Sequence, residues 1–149
     1  YLDPETYERY IPYVIEPSLG VERLVLATLF NAYHEEELEN GETREVLKLI
    51  PYLAPYKVTV LPLIKKLHSE KAMSIYNKLS KNFSVSYDES GSIGKRYRRS
   101  DAVGTPYAIT IDDDTLNNTT VTLRDRDTME QIVISLDDVE KYIEERIKF

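Results

Sequence analysis

The chain has 149 residues, 42% hydrophobic and 30% charged, which is room for one ordinary domain with a short appendage and too apolar for wholesale disorder. Its 26 acidic and 19 basic residues give a net charge of −7, excluding a generally basic nucleic-acid coat but leaving a local basic patch open. The absence of cysteine removes disulfides, thiolate metal sites and cysteine nucleophiles together, and two histidines, His34 and His68, are too few for a histidine metal site or a Ser/His/Asp set. No apolar run approaches the roughly 20 residues that cross a bilayer, and no signal-peptide core opens the chain, so the sequence predicts a soluble intracellular protein. Tyr1-Leu2-Asp3-Pro4 lacks an initiator methionine and reads as a cut through a longer chain.

In chain order, Ile11 to Pro17 is β-rich and predicts a short strand, with Ser18 placed as an N-cap and Gly20 turning the chain into a helix. From Val21 the apolar residues Leu24, Val25, Leu29, Ala32 and Tyr33 recur at helical spacing. The acidic run Glu35 to Gly41 opposes a helix macrodipole at its C-terminus and predicts fraying into a loop. Residues 45–50 alternate as a strand, and Pro51 and Pro55 mark the best domain boundary. Beyond it come a buried strand over Lys57–Leu61, a helix over Ser69–Lys81 and a strand over Phe83–Tyr87. The basic stretch Ile93–Arg99 follows, then a strand over Tyr107–Ile111 and a hairpin of Thr119–Leu123 with Gln131–Ser135. Asp137 is placed to cap a final helix carrying Val139, Tyr142, Ile143 and Ile147, while His34 and His68 read as helix-surface residues. Strands alternating with helices and ending in a hairpin predict an α/β fold with a mixed sheet flanked by helices.

Three stretches carry chemistry. Glu16-Pro17-Ser18-Leu19-Gly20-Val21-Glu22-Arg23 ends a strand in a carboxylate and opens a helix with an arginine, which suits an ammonium group and a phosphate; it also reads as a strand–turn–helix with a Glu22–Arg23 surface pair. Gly91 to Arg99 packs Lys95, Arg96, Arg98 and Arg99 around Tyr97, which suits single-stranded RNA; it equally reads as a solvated helix face neutralised by Asp88, Glu89 and Asp101. Arg124-Asp125-Arg126-Asp127 is either a self-paired turn or two arginines offered to a partner. Asp112-Asp113-Asp114 lacks the glycine and distal glutamate of a calcium loop and reads as a solvated turn.

Together these stretches, with Leu53-Ala54-Pro55-Tyr56-Lys57-Val58 and Thr122 to Gln131, resemble the homodimeric class II glycyl-tRNA synthetase family over nearly the whole chain. The resemblance implies a strand–helix remnant of the antiparallel catalytic domain over 1–52, carrying motif 3, and an anticodon-binding domain with a five-stranded mixed sheet over 53–149. It implies that Glu16 and Ser18 hold the glycine substrate, and that Gly20, Val21, Glu22 and Arg23 bind ATP, which the parent enzyme uses with Mg2+. It places anticodon contacts among Lys95, Arg96, Tyr97, Arg98, Arg99, Arg124 and Arg126, with Tyr97 or Tyr107 stacking. The implied parent is a cytoplasmic homodimer that joins glycine to tRNA-Gly, with no DNA or membrane partner. Class II motifs 1 and 2 have no counterpart in these 149 residues, so this piece is expected to be inactive alone, to hold no cofactor and to serve chiefly as an anticodon reader. The alternative is a non-catalytic, synthetase-like RNA-binding or regulatory protein.

Overall fold

The computed structural model describes residues 1–38 and 41–148. The expected strand over 11–17 does not form: residues 11–20 have no regular structure, and Ile11, Tyr13, Val14 and Ile15 are exposed. A strand needs a neighbour for its N–H and C=O groups, and no described strand lies beside this one. Helix α1 (Val21–Ala32) follows with Gly20, not Ser18, at its N-cap, without a side-chain cap and with an ordinary negative φ. Its residues Leu24, Val25 and Leu29 border an apolar groove of about 620 Å³ shared with Leu47, Leu49 and Leu53.

The acidic run after α1 is not a frayed helix end. It forms strand β1 (Tyr33–Glu37), paired antiparallel with β2 (Thr43–Leu47) from Tyr33↔Leu47 to Glu37↔Thr43. The ladder satisfies backbone groups that a helix with acids at its negative end would leave strained, and Glu36 gains Arg44 and Lys48 as partners. Glu39 and Asn40, within the same expected loop, lie outside the described residues.

The second unit is a five-stranded sheet in the order β4-β3-β5-β6-β7. Strand β3 (Val58–Pro62) is buried throughout and lies between β4 (Val85–Tyr87) and β5 (Tyr107–Ile111), parallel to both. Strands β6 (Thr120–Asp125) and β7 (Gln131–Ser135) continue the sheet antiparallel. Helices α2 (Lys65–Leu79) and α3 (Ile93–Val103) make the two crossovers that parallel pairing requires. Val58, Val60, Ile109, Ile111, Val121 and Leu123 face one side, where they form the core with Ala72, Ile75 and Leu79 of α2 and with Val139 and Ile143 of α5 (Val139–Ile147). The alternate residues Thr59, Thr110 and Arg124 face α3 on the other side.

Three local expectations are corrected. Asp112 to Asp114 is not a bare turn: Asp112 caps helix α4 (Asp113–Asn118) in a reciprocal box with Thr115. The N-cap of α5 is Asp138 rather than Asp137. His68 is fully buried: its Nδ1 accepts the Ile64 N–H at 3.0 Å, so Nε2 carries the proton and donates to Asp113 Oδ1, also at 3.0 Å. The sequence periodicity missed this because the helix begins four residues before the expected start, and its first turn turns His68 inward towards α4.

Candidate nucleic-acid interface

Helix α3 carries the densest positive charge of the chain, and its faces divide that charge by use. Lys95, Arg98 and Arg99 lie outward, whereas Arg96, Ser100 and Asp101 are buried. Arg98 reaches the Glu42 carboxylate at 2.8 Å and the Thr43 carbonyl; Arg99 grips Asp88 at 2.6 Å and the Ser90 carbonyl. Lys95 makes no ion pair with any described residue. Exposed pairs of this kind are worth about 0–1 kcal/mol, so a phosphate arriving at this face competes on nearly even terms with Glu42 and Asp88.

The inward arginines are buried and held by partners within the chain itself. Asp101, 1% exposed, accepts both Nη atoms of Arg124, at 2.8 and 3.1 Å, and Nη1 of Arg44 at 3.1 Å. Arg126 donates to Asp127, to the Gly104 carbonyl and, across 77 residues, to the Leu49 carbonyl. Among the described residues, Arg96 donates only to the carbonyls of Gly91 and Pro62. This network ties β2, α3 and β6 together, and Lys57 fixes the adjoining corner by donating to the carbonyls of Pro51, Tyr52 and Ala54. Gly104 makes the close approach possible: with φ +85°, an added Cβ would lie 3.0 Å from the Leu47 carbonyl oxygen.

Of the two expected stacking tyrosines, Tyr107 is enclosed edge-to-face against Tyr142, and burial pushes its hydroxyl up to about 12. Tyr97 is half-buried, its ring 4.8 Å from the Arg124 guanidinium and its hydroxyl 2.6 Å from Thr110. It is a pre-positioned aromatic at the border of the sheet face that α3 leaves open, where Thr122 stands opposite an exposed Val133. The loop before α3 is equally fixed. Glu89 accepts from Lys65, Ser69 and Tyr87, which together hold its carboxyl at about 2 against an ordinary 4.5.

The remaining expected site residues lie elsewhere. Glu16, Ser18, Gly20, Val21, Glu22 and Arg23 are exposed along the approach to α1, and the anticipated Glu22–Arg23 pair does not form. The buried role of Arg44 was missed, although the alternation of β2 sets Arg44 in the same inward row as Val46, an unusual place for an arginine.

A family model described as an anticodon binding domain matches residues 57–146. The chain is 60% identical over its whole length to the glycine–tRNA ligase of Clostridium tetani and 61% identical to that of Caldanaerobacter subterraneus, and covers 32% of each. It therefore spans about a third of the length of the curated relatives it matches. Among solved structures, the RNA binding domain of threonyl-tRNA synthetase from Cryptosporidium parvum is similar, with a TM-score of 0.61 and 26% identity, over 78% of this chain and 35% of that one.

Proposed function

The chain belongs to the anticodon-binding-domain family of aminoacyl-tRNA synthetases, and from that premise we propose that it is the anticodon-reading part of a glycine–tRNA ligase. The observation that carries the reading is the coincidence of the family match, residues 57–146, with the unit built around α3 and the mixed sheet. Lys95, Arg98 and Arg99 take the anticodon-arm phosphates, and the open sheet face beside Tyr97 receives unstacked bases. The buried arginines contribute by holding α3 rigid, so that little ordering is lost when RNA binds.

The parent would activate glycine with ATP and pass it to tRNA-Gly as a cytoplasmic homodimer, with residues 1–52 as the end of its catalytic domain. Arg23 is exposed at the start of α1 beside unpaired N–H groups, an arrangement that suits polyphosphate, and Glu16 suits the glycine ammonium. Among the described residues no three acidic or histidine side chains are grouped to hold a metal, so Mg2+ would arrive with the nucleotide. Without a motif 2 arginine for the α-phosphate, these 149 residues would not form adenylate by themselves.

The test is binding of the chain to a tRNA-Gly anticodon stem–loop by wild type and by Lys95→Ala, Arg98→Ala and Arg99→Ala. Each substitution should weaken binding and lower the slope of log affinity against log salt by up to about 1 per lost phosphate contact. Three variants indistinguishable from wild type would refute this interface.

A further inference from the structure

Four arginines are buried: Arg44, Arg96, Arg124 and Arg126. Three of them reach a carboxylate, Arg44 at Glu36 and Asp101, Arg124 at Asp101, and Arg126 at Asp127. Arg96, 5% exposed, has none within ion-pair distance among the described residues. Its Nε and Nη2 donate to Gly91 O at 3.1 and 2.6 Å and its Nη1 to Pro62 O at 2.5 Å. A guanidinium has five N–H groups, so one on each Nη is left, together with a full charge met only by carbonyl dipoles. Arginine is almost never buried without a charge partner, and burying an uncompensated cation is costly.

The reason for this exception lies beside it. Arg96 forms part of the wall of a groove of about 210 Å³ bordered by β3, β4 and α3, whose other polar residues include Thr59, Ser86, Ser100, Asp88 and Arg99. Ser86 Oγ lies 2.5 Å from Thr59 Oγ1, which lies 3.0 Å from Ser100 Oγ. Three hydroxyl hydrogens share two such bonds, which leaves one donor over. Asp88 does not neutralise Arg96, because its Oδ2 is taken by Arg99 and its Oδ1 by the Ser90 N–H. At ~30 Å³ per water the space equals about seven waters, well below a drug-sized pocket and enough for one small polyatomic ion. We infer that Arg96, with the one hydroxyl donor left over in the Ser86–Thr59–Ser100 chain, forms a binding site for an oxyanion of the phosphate class. The groove adjoins the outward face of α3 through Arg99, which borders both, and the anion is either a backbone phosphate of bound RNA or a free phosphate compound.

The test uses nitrogen-labelled protein titrated with inorganic phosphate and, at equal ionic strength, with sodium chloride. Phosphate should shift the Arg96 Nε and the Ser86 and Ser100 amide resonances along a saturating curve, and chloride should not. Ser86→Glu supplies an internal carboxylate and should weaken that response at least about tenfold, which corresponds to about 1.4 kcal/mol. A folded wild type without a saturable phosphate-specific shift would overturn the site, whatever the variant does. The titration contains no RNA, so it stands or falls apart from the anticodon reading. A parallel assay with the tRNA-Gly stem–loop identifies the source: weaker RNA binding by Ser86→Glu assigns the site to the RNA backbone, and unchanged binding assigns it to a free phosphate compound.

Discussion

Replacing Asp101 with asparagine preserves shape and removes one buried charge, leaving two guanidiniums to find other partners. Arg44 keeps Glu36 and the Arg126 carbonyl, so its loss is partial. Arg124 keeps only the face of Tyr97, and its fork now meets an amide that can accept at one atom instead of two. Breaking a buried pair by removing one partner costs about 3–5 kcal/mol, out of a total that is ~5–15 for a fold of this kind. At roughly 2–4 °C per kcal/mol for a chain near this size, the melting temperature should fall by about 10 °C. Urea unfolding of wild type, Asp101→Asn, Arg124→Met and the double variant forms a cycle. The double variant should be less destabilised than the sum of the singles by more than about 1 kcal/mol, because it leaves no orphaned guanidinium at β6. A loss below about 1 kcal/mol in Asp101→Asn, or simple additivity, would refute the view that Asp101 holds α3 to β2 and β6.

Other consequences can be measured separately. Glu89 has a folded pKa of about 2 against an ordinary 4.5, so its anchoring of the loop before α3 is complete above pH 4.5 and is lost as the pH falls towards 2. A carboxyl titration by NMR should place the midpoint near 2; one near 4.5 would show that Lys65, Ser69 and Tyr87 do not hold it in solution. Gly104→Ala should destabilise by roughly 1–3 kcal/mol, since positive φ and contact with Leu47 both resist a side chain there. Gly94→Ala, in helix α3 with nothing within 4 Å of the new carbon, should instead stabilise by about 0.5–1 kcal/mol in thermal unfolding.

The sheet strands were legible because their residues report burial directly. Tyr107–Ile111 and Gln131–Ser135 appear with the expected bounds, and the strand expected over Lys57–Leu61 forms one residue later, over Val58–Pro62. The acidic run of β1 was not legible, since its strand state depends on a partner ten residues away and on Arg44, which no local propensity encodes. Ile11–Pro17 shows the converse: its β-rich composition produces no strand where no described strand lies beside it. The basic stretch on α3 was located correctly as a charged segment, but sequence spacing could not divide its arginines. Arg96 turns inward and Arg98 outward through helix geometry, while Arg124 is claimed by Asp101, 23 residues upstream.

Whether this chain reads the anticodon of tRNA-Gly is decided by equilibrium binding of the chain to tRNA-Gly, to tRNA-Gly with a substituted anticodon and to one unrelated tRNA across a salt series. An anticodon reader should prefer native tRNA-Gly, lose that preference on anticodon substitution and bind more weakly with salt in proportion to its phosphate contacts. Equal affinity for all three RNAs, or no binding by folded protein, would contradict that reading.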